Sequence, residues 1–224
     1  MPVYTQSGIT FNDSTIQTSK ADSSIDTGRL IATNVYNATS TTTSQYTWSK
    51  PSGCNKVFVQ VVGGGGGGAS YNESGGAGAY AEKIIDVTAV SSVTVTVGGG
   101  GTSVVYYAAG GNGSTSSFGT YVTCTGGYGS SRQADHTGGA GGTATGGDLN
   151  VRGGSGTGHG NTSGREAVGR GGASFFGIGY GSSHSTNTAN LGNAAPGAGG
   201  VGGAMQAYVG SNGAPGMVIV YSFS

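Results

Sequence analysis

The chain has 224 residues, 50 of them glycine, with a formal net charge of zero and only 8% charged residues. A neutral chain without a basic run offers no electrostatic footprint for nucleic acid. No stretch approaches the ~20 apolar residues of a membrane-spanning helix, so no membrane insertion is expected.

Residues 1–28 are polar, with Ile9, Phe11 and Ile16 around the turn-forming Asn12-Asp13-Ser14. They lack the basic and apolar regions of a secretory signal. They are too polar to bury a core and read as an extended or hairpin-like attachment arm that docks onto another chain. From Arg29 to Tyr36 a loose alternation of Leu, Ile, Val and Tyr predicts a strand. Gln45–Lys50 places Tyr46 and Trp48 on one face, and Pro51-Ser52-Gly53 turns the chain. Lys56–Val62 is apolar on both faces and predicts a central strand. Strands are also expected over 79–87 and 92–97, where Val93, Val95 and Val97 alternate with Thr94 and Thr96. Weaker candidates lie at 104–108 and 118–125. Between 126 and 216 strand patterns give way to glycine blocks, and Met217–Phe223 closes the chain as a strand. Because Lys56–Val62 and Met217–Tyr221 are both apolar on two faces and lack a local hairpin partner, they are expected in one sheet. No helix of ordinary length is credible, since glycine and β-branched residues oppose it.

All glycines but Gly8, Gly28 and Gly53 lie between Gly63 and Gly216, bracketed by those two strands. Ordering so many costs on the order of 20–45 kcal/mol relative to alanine, more than the net stability of a domain. The stretch is therefore either a flexible linker or a structure in which missing side chains let backbones pack. Low charge and the many tyrosines favour packing. Glycine runs such as Gly63–Gly68 and only four prolines exclude collagen. Blocks of local three-residue spacing remain, as in 138–143 and 199–204. A three-fold extended helix makes no internal hydrogen bonds, so its amides must pair laterally with neighbours. The reading is an all-β chain: an arm (1–28), and a glycine-rich β domain (29–224) with scaffold strands in 29–125 and 217–223 and a slab of polyglycine-II-like segments over 126–216.

Chemistry for catalysis is sparse. Beyond the arm the acids are isolated, with Glu82 and Asp86 the nearest pair in sequence, whereas glycoside cleavage needs two carboxylates about 5–10 Å apart. His136, His159 and His184 stand in separate glycine segments without ligand spacing, so neither metal nor cofactor is expected. Gly63–Gly68 lacks the Gly-Lys-Ser/Thr ending of a phosphate loop. Recognition is better served. Tyrosine, arginine and small residues make adaptable binding loops, and Tyr128, Arg132, His136, Tyr180 and His184 are the candidate receptor-binding residues. Tyrosines packed flat on glycine backbone are the competing reading.

The order of these elements resembles the glycine-rich domain of bacteriophage tail-fibre and receptor-binding proteins. The resemblance rests on Tyr46-Thr47-Trp48, Pro51-Ser52-Gly53, the strand running into Gly63–Gly68, and Ala79-Tyr80-Ala81-Glu82-Lys83. It continues through Val93–Val97 before Gly98–Gly101, Ser116-Ser117-Phe118-Gly119, and Gly213-Ala214-Pro215-Gly216 before the last strand. Residues 8–18 are similar to a segment of phage fibre proteins, although Ser14 stands where those have glycine. The resemblance implies a jelly-roll-like β-sandwich in a virion protein assembled in the host cytoplasm and often homotrimeric. Such a protein attaches to other tail subunits through residues 1–28 and binds a host surface glycan or outer-membrane protein through its glycine-rich loops. A capsid or tail decoration protein without receptor activity and a surface-polysaccharide depolymerase are the alternatives. A similar glycine-rich region occurs in some receptor tyrosine kinases, so fold and function are separate inferences.

Overall fold

The computed structural model describes residues 28–70, 73–104, 108–131, 137–158, 169–178, 194–203 and 209–224, together with the backbone of three short strands nearer the N-terminus. Those three, β1 (Val3–Thr5), β2 (Gly8–Thr10) and β3 (Ile16–Gln17), form an antiparallel meander. The other strands are β4 (Leu30–Asn37), β5 (Ser44–Ser49), β6 (Lys56–Val62), β7 (Tyr80–Asp86), β8 (Ser92–Val97), β9 (Ser116–Phe118), β10 (Val122–Cys124), β11 (Ala144–Thr145), β12 (Leu149–Val151) and β13 (Met217–Phe223). They make two antiparallel five-stranded sheets of order β12-β7-β6-β13-β4 and β11-β10-β9-β8-β5. The described chain is all-β with no helix, and the two sheets are compatible with a jelly-roll-like sandwich.

β6 and β13 are adjacent, with Val218 opposite Val61 and Val220 opposite Val59. The two strands lie in one sheet as expected, and they are direct neighbours, so the glycine-rich stretch begins and ends side by side. Alternation sorts the side chains: Val57, Val59, Val61, Val218 and Val220 point inward and meet Trp48, Val93, Val95, Phe118 and Val122 of the other sheet. Cys54 and Cys124 are both buried free thiols. The Cys124 thiol donates to the Val61 carbonyl at 3.3 Å, and burial pushes its pKa up to about 12.

Two strand expectations change. The segment 118–125 is not one strand: Gly119, at φ +52°, turns the chain and splits it into the β9–β10 hairpin. β11 and β12 lie inside 126–216, where no strand was expected, because two and three residues are too short to show alternation. In the 104–108 candidate, Val104 and Ala108 are not in strands, and 105–107 lie outside the described residues.

Glycine packing is not confined to 126–216. Ten extended segments run to and from the sheets in chain order: 63–69, 73–79, 98–104, 110–115, 125–131, 137–143, 152–158, 170–173, 197–203 and 210–216. We number them rods 1–10. Rod 1 shows the three-fold register plainly. Its amides at 63 and 66 donate to rod 2, those at 64 and 67 to rod 4, and those at 65 and 68 to rod 10, at 2.8–3.1 Å. Its carbonyls at 64 and 67 accept from rod 5, those at 65 and 68 from rod 3, and those at 66 and 69 from rod 9. Every third residue returns to the same neighbour, as a three-fold helix requires. Rod 2 repeats the scheme, donating to rods 5, 7 and 9 and accepting from rods 1, 6 and 8. Rods 1 and 2 are thus each enclosed by six others, each being one of the other's six, with rods 5 and 9 touching both.

Candidate binding surface

Odd-numbered rods run away from the sheets and even-numbered rods return. The outgoing rods end at 70, 104, 131, 158 and 203, all at the end of the slab far from the sheets. Cross-links tie these ends together: Gly203 N–H to Ala69 O at 2.8 Å, Val104 to Gly68 at 3.2 Å, Ser131 to Thr137 at 3.1 Å, Ser74 to Thr157 at 3.0 Å and Thr157 to Arg170 at 3.0 Å. The five segments that join outgoing to returning rods are therefore anchored on one end of one lattice.

Which residues face outward follows from the three-fold register. In rod 6, Gly138, Gly139, Gly141 and Gly142 turn toward other rods, while Thr137 and Thr143 are exposed and Ala140 half-buried. In rod 5, Thr125, Tyr128 and Ser131 share the corresponding row, and Tyr128 is 57% exposed. Its backbone is committed to the lattice: its N–H donates to Ala140 O and its carbonyl accepts from Gly76, both at 2.9 Å. Beside it Asn112 Oδ1 accepts from Gly129 N–H at 2.9 Å. Tyr128 is thus an exposed side chain on a fixed backbone, next to the Asn112 amide.

Of the other candidates, Arg132, His136, Tyr180 and His184 lie outside the described residues, as do Tyr71, Tyr106, Tyr107, Arg165 and Tyr208. Their flanks differ. Ser131 and Thr137, which bracket Arg132 and His136, stand at the far end. Ile178 and Ala194, which bracket Tyr180 and His184, stand at the sheet end, since Phe175 lies on Tyr80 of β7 and Gly197 adjoins Val62 of β6. A seven-residue rod is ~20 Å long, so the candidates hang from two separate sets of anchors. Arg152 and Arg170 are exposed on rods 7 and 8.

Among the acids, Glu82 and Asp86 share the outward face of β7, but four residues of strand separate them by ~14 Å. Glu82 accepts from the Tyr80 hydroxyl at 2.6 Å, and that hydroxyl accepts from Gln60 Nε2 at 2.7 Å. Burial, then the Glu82 hydrogen bond, holds the Tyr80 hydroxyl well above the usual tyrosine pKa. Asp148 caps β7, accepting from Ile84 N–H at 2.9 Å with Lys83 Nζ at 3.5 Å, and these interactions lower its pKa, the backbone bond most. No group of three His, Cys, Asp or Glu side chains among the described residues could hold a metal ion.

One surface the sequence reading missed is the outward face of the β12-β7-β6-β13-β4 sheet. It carries Leu30 and Val35 on β4, Ile84 on β7 and Leu149 on β12, between 43% and 63% exposed. Phe175 stacks on Tyr80 there with centroids 3.8 Å apart, with Phe176 set edge-on at 5.7 Å. The signal was present in the sequence, since β6 and β13 are apolar on both faces and a sandwich covers only one.

In comparison with known proteins, the profile of a glycine-rich domain family matches residues 39–222. No curated protein matches the chain.

Proposed function

The chain belongs to the glycine-rich domain family, and from that premise we propose that it is a bacteriophage tail protein, structural and host-binding. In this reading the segments between rods meet a glycan or outer-membrane protein of the host cell. One observation carries the proposal: five interconnecting segments are anchored side by side on a hydrogen-bonded lattice. Rigid anchoring lowers the entropy lost on binding, because the ends of each segment are already fixed. The chemistry around Tyr128 suits an uncharged ligand. An exposed aromatic ring offers its face to the apolar side of a sugar, with the Asn112 amide bonded to the next residue of the rod and the hydroxyls of Ser131 and Thr137 further along, at the far end. The element order shared with phage receptor-binding domains supports the same reading. Arg132 and His136 then act at the far end, beyond Tyr128, which lies midway along rod 5, and Tyr180 and His184 belong to a second segment anchored near the sheets. Residues 1–28 attach the domain to neighbouring tail subunits.

The test is whether the purified protein labels host cells and blocks phage adsorption. A protein that is incorporated into virions yet neither labels cells nor competes is a decoration protein instead. New reducing ends on incubation with host surface polysaccharide would make it a depolymerase.

A further inference from the structure

We propose that the outward face of the β12-β7-β6-β13-β4 sheet is a self-association surface, covered by the same face of a second copy of this chain. The two sheets differ sharply in what they turn outward. On the β11-β10-β9-β8-β5 sheet the outward row reads Gln45, Thr96, Ser117, Thr123 and Thr145, with Thr47 opposite Thr94 and Ser49 opposite Ser92. Those groups are hydroxyls and an amide, suited to water. On the other sheet the outward positions of β13 alone are Met217, Ile219, Tyr221 and Phe223. Phe58 of β6 stacks on Tyr221 at 5.9 Å, and Ile84 and Val35, 63% and 53% exposed, lie across the neighbouring strands. A strand apolar on both faces is the mark of a strand buried on both faces. At one end of this face Phe175 and Phe176 pack on Tyr80 and Gly197 adjoins Val62, while Ile84 and Val35 stay exposed.

Size and charge select the occupant. Four strands of seven or eight residues and the three-residue β12, about 4.8 Å apart, make a face of ~500 Å² before side-chain relief is counted. That reaches the upper end of the apolar patches monomers expose. With the rim from Phe175 to the 73% exposed Ile178, it approaches the ~800 Å² per partner of a stable interface. The face carries little charge: Lys56 lies opposite Asp86 in the ladder, and the one remaining carboxylate of these strands, Glu82, accepts from the Tyr80 hydroxyl. A strongly charged partner gains little there, whereas an identical, mostly apolar face meets only weak repulsion. An open groove of about 710 Å³ at this end, lined by Lys56, Phe58, Ile84 and Phe223, can receive side chains of the opposing copy.

The experiment is sedimentation of the purified full chain, which needs neither a host nor a virion and so stands or falls apart from the tail-protein reading. The parent is expected to associate at micromolar concentration. Ile84→Lys and Val35→Lys, which place like charges on both copies, should each weaken association by roughly tenfold or more, while Thr94→Lys on the hydroxyl face should not. Circular dichroism checks that each variant folds, and Leu30→Ser serves as a milder variant if a lysine disrupts β4 or β7. A monomeric parent overturns the proposal, whether the face is then covered by another protein or by this chain's own N-terminal residues. So do folded lysine variants that associate like the parent.

Discussion

Replacing Gly66 with alanine tests the lattice directly. A Cβ at position 66 would overlap the Tyr128 carbonyl and come within 2.7 Å of the Gly129 nitrogen, both backbone atoms of rod 5. Backbone cannot rotate away as a side chain can, so rod 5 must shift by on the order of 1 Å to restore ordinary contact. That shift strains the bonds rod 5 makes to the two central rods: Gly76 N–H to Tyr128 O at 2.9 Å, Gly127 to Gly64 at 2.8 Å and Ser130 to Gly67 at 3.0 Å. Overpacking costs about 1–3 kcal/mol, and each buried amide left without its acceptor about 1–3 kcal/mol more. Against this, alanine lowers the entropy of the unfolded chain by about 0.4–1 kcal/mol. With one or two bonds lost, Gly66→Ala should destabilise the protein by about 3–6 kcal/mol, a large share of the 5–15 kcal/mol typical of a domain.

Gly53→Ala is the matched control. Gly53 has φ +78° and nothing within 4 Å of its would-be Cβ, so it should cost about 1–2 kcal/mol of backbone strain alone. Urea unfolding of the parent and both variants, with slopes checked for two-state behaviour, provides the comparison. If Gly66→Ala unfolds at the same urea concentration as Gly53→Ala or higher, the rods are not packed backbone to backbone and the reasoning fails.

Three further outcomes are expected. Native protein should show no reaction with a thiol reagent at pH 8, because Cys124 is fully buried with its pKa near 12 and Cys54 is 5% exposed; both should react after unfolding, and rapid labelling of the folded protein would contradict the burial. Asp148 and Asp86 have folded-state pKa values below the ordinary aspartate value, mainly through backbone hydrogen bonds from Ile84 and Thr88. The stability they add is present above the unfolded pKa of about 3.9 and is lost as pH falls through the lowered values, so Asp148→Asn should flatten the loss of stability between pH 5 and pH 2, measured by urea unfolding. Finally, Tyr128→Ala should leave folding unchanged and weaken adsorption to host cells by roughly thirtyfold if Tyr128 is a binding hot spot; a folded variant that binds like the parent removes Tyr128 from the site.

Much of the sandwich was legible because period-2 alternation reports a half-buried strand locally. Trp48, Val59, Val95 and Val220 are core residues in the structure, and each belongs to a predicted strand. The pairing of β6 with β13 was also readable, since both are apolar on two faces. β11 and β12 were not readable, because two- and three-residue strands carry no period. The place of β12 is set beside Asp148, whose backbone and carboxylate extend the ladder at the edge of β7, and β11 pairs with β10 in the other sheet. Of the candidate binding residues, Tyr128 is exposed on the slab. The sequence could not show that the segments bearing Arg132 and His136 and those bearing Tyr180 and His184 are anchored at opposite ends. Rod direction is set by which strand each rod leaves, and that is a long-range fact.

The slab obeys a local rule that a sequence can carry. A three-fold rod has three rows of side chains, and a row can hold Cβ atoms only where no other backbone lies against it. In rod 1 the unbroken run Gly63–Gly68 is needed because a Cβ at each position would fall closer than 3.0 Å to a backbone carbonyl group of rod 3, 5 or 9. Rod 6 keeps two glycine rows and releases Thr137, Ala140 and Thr143. Rod 10 keeps one row, Gly210, Gly213 and Gly216, whose would-be Cβ atoms meet rod 1, the chain running into it or Val201 of rod 9. Glycine in a row therefore marks a face closed by close backbone contact, and the unbroken run of rod 1 marks a rod at the centre of the lattice. Rod 2, also enclosed by six rods, fits the small buried Ser74 and Ala77 into one of its rows. The rim is where side chains such as Tyr128 become available, so variation confined to the third position of a rim repeat can change the exposed surface without disturbing the packing beneath it.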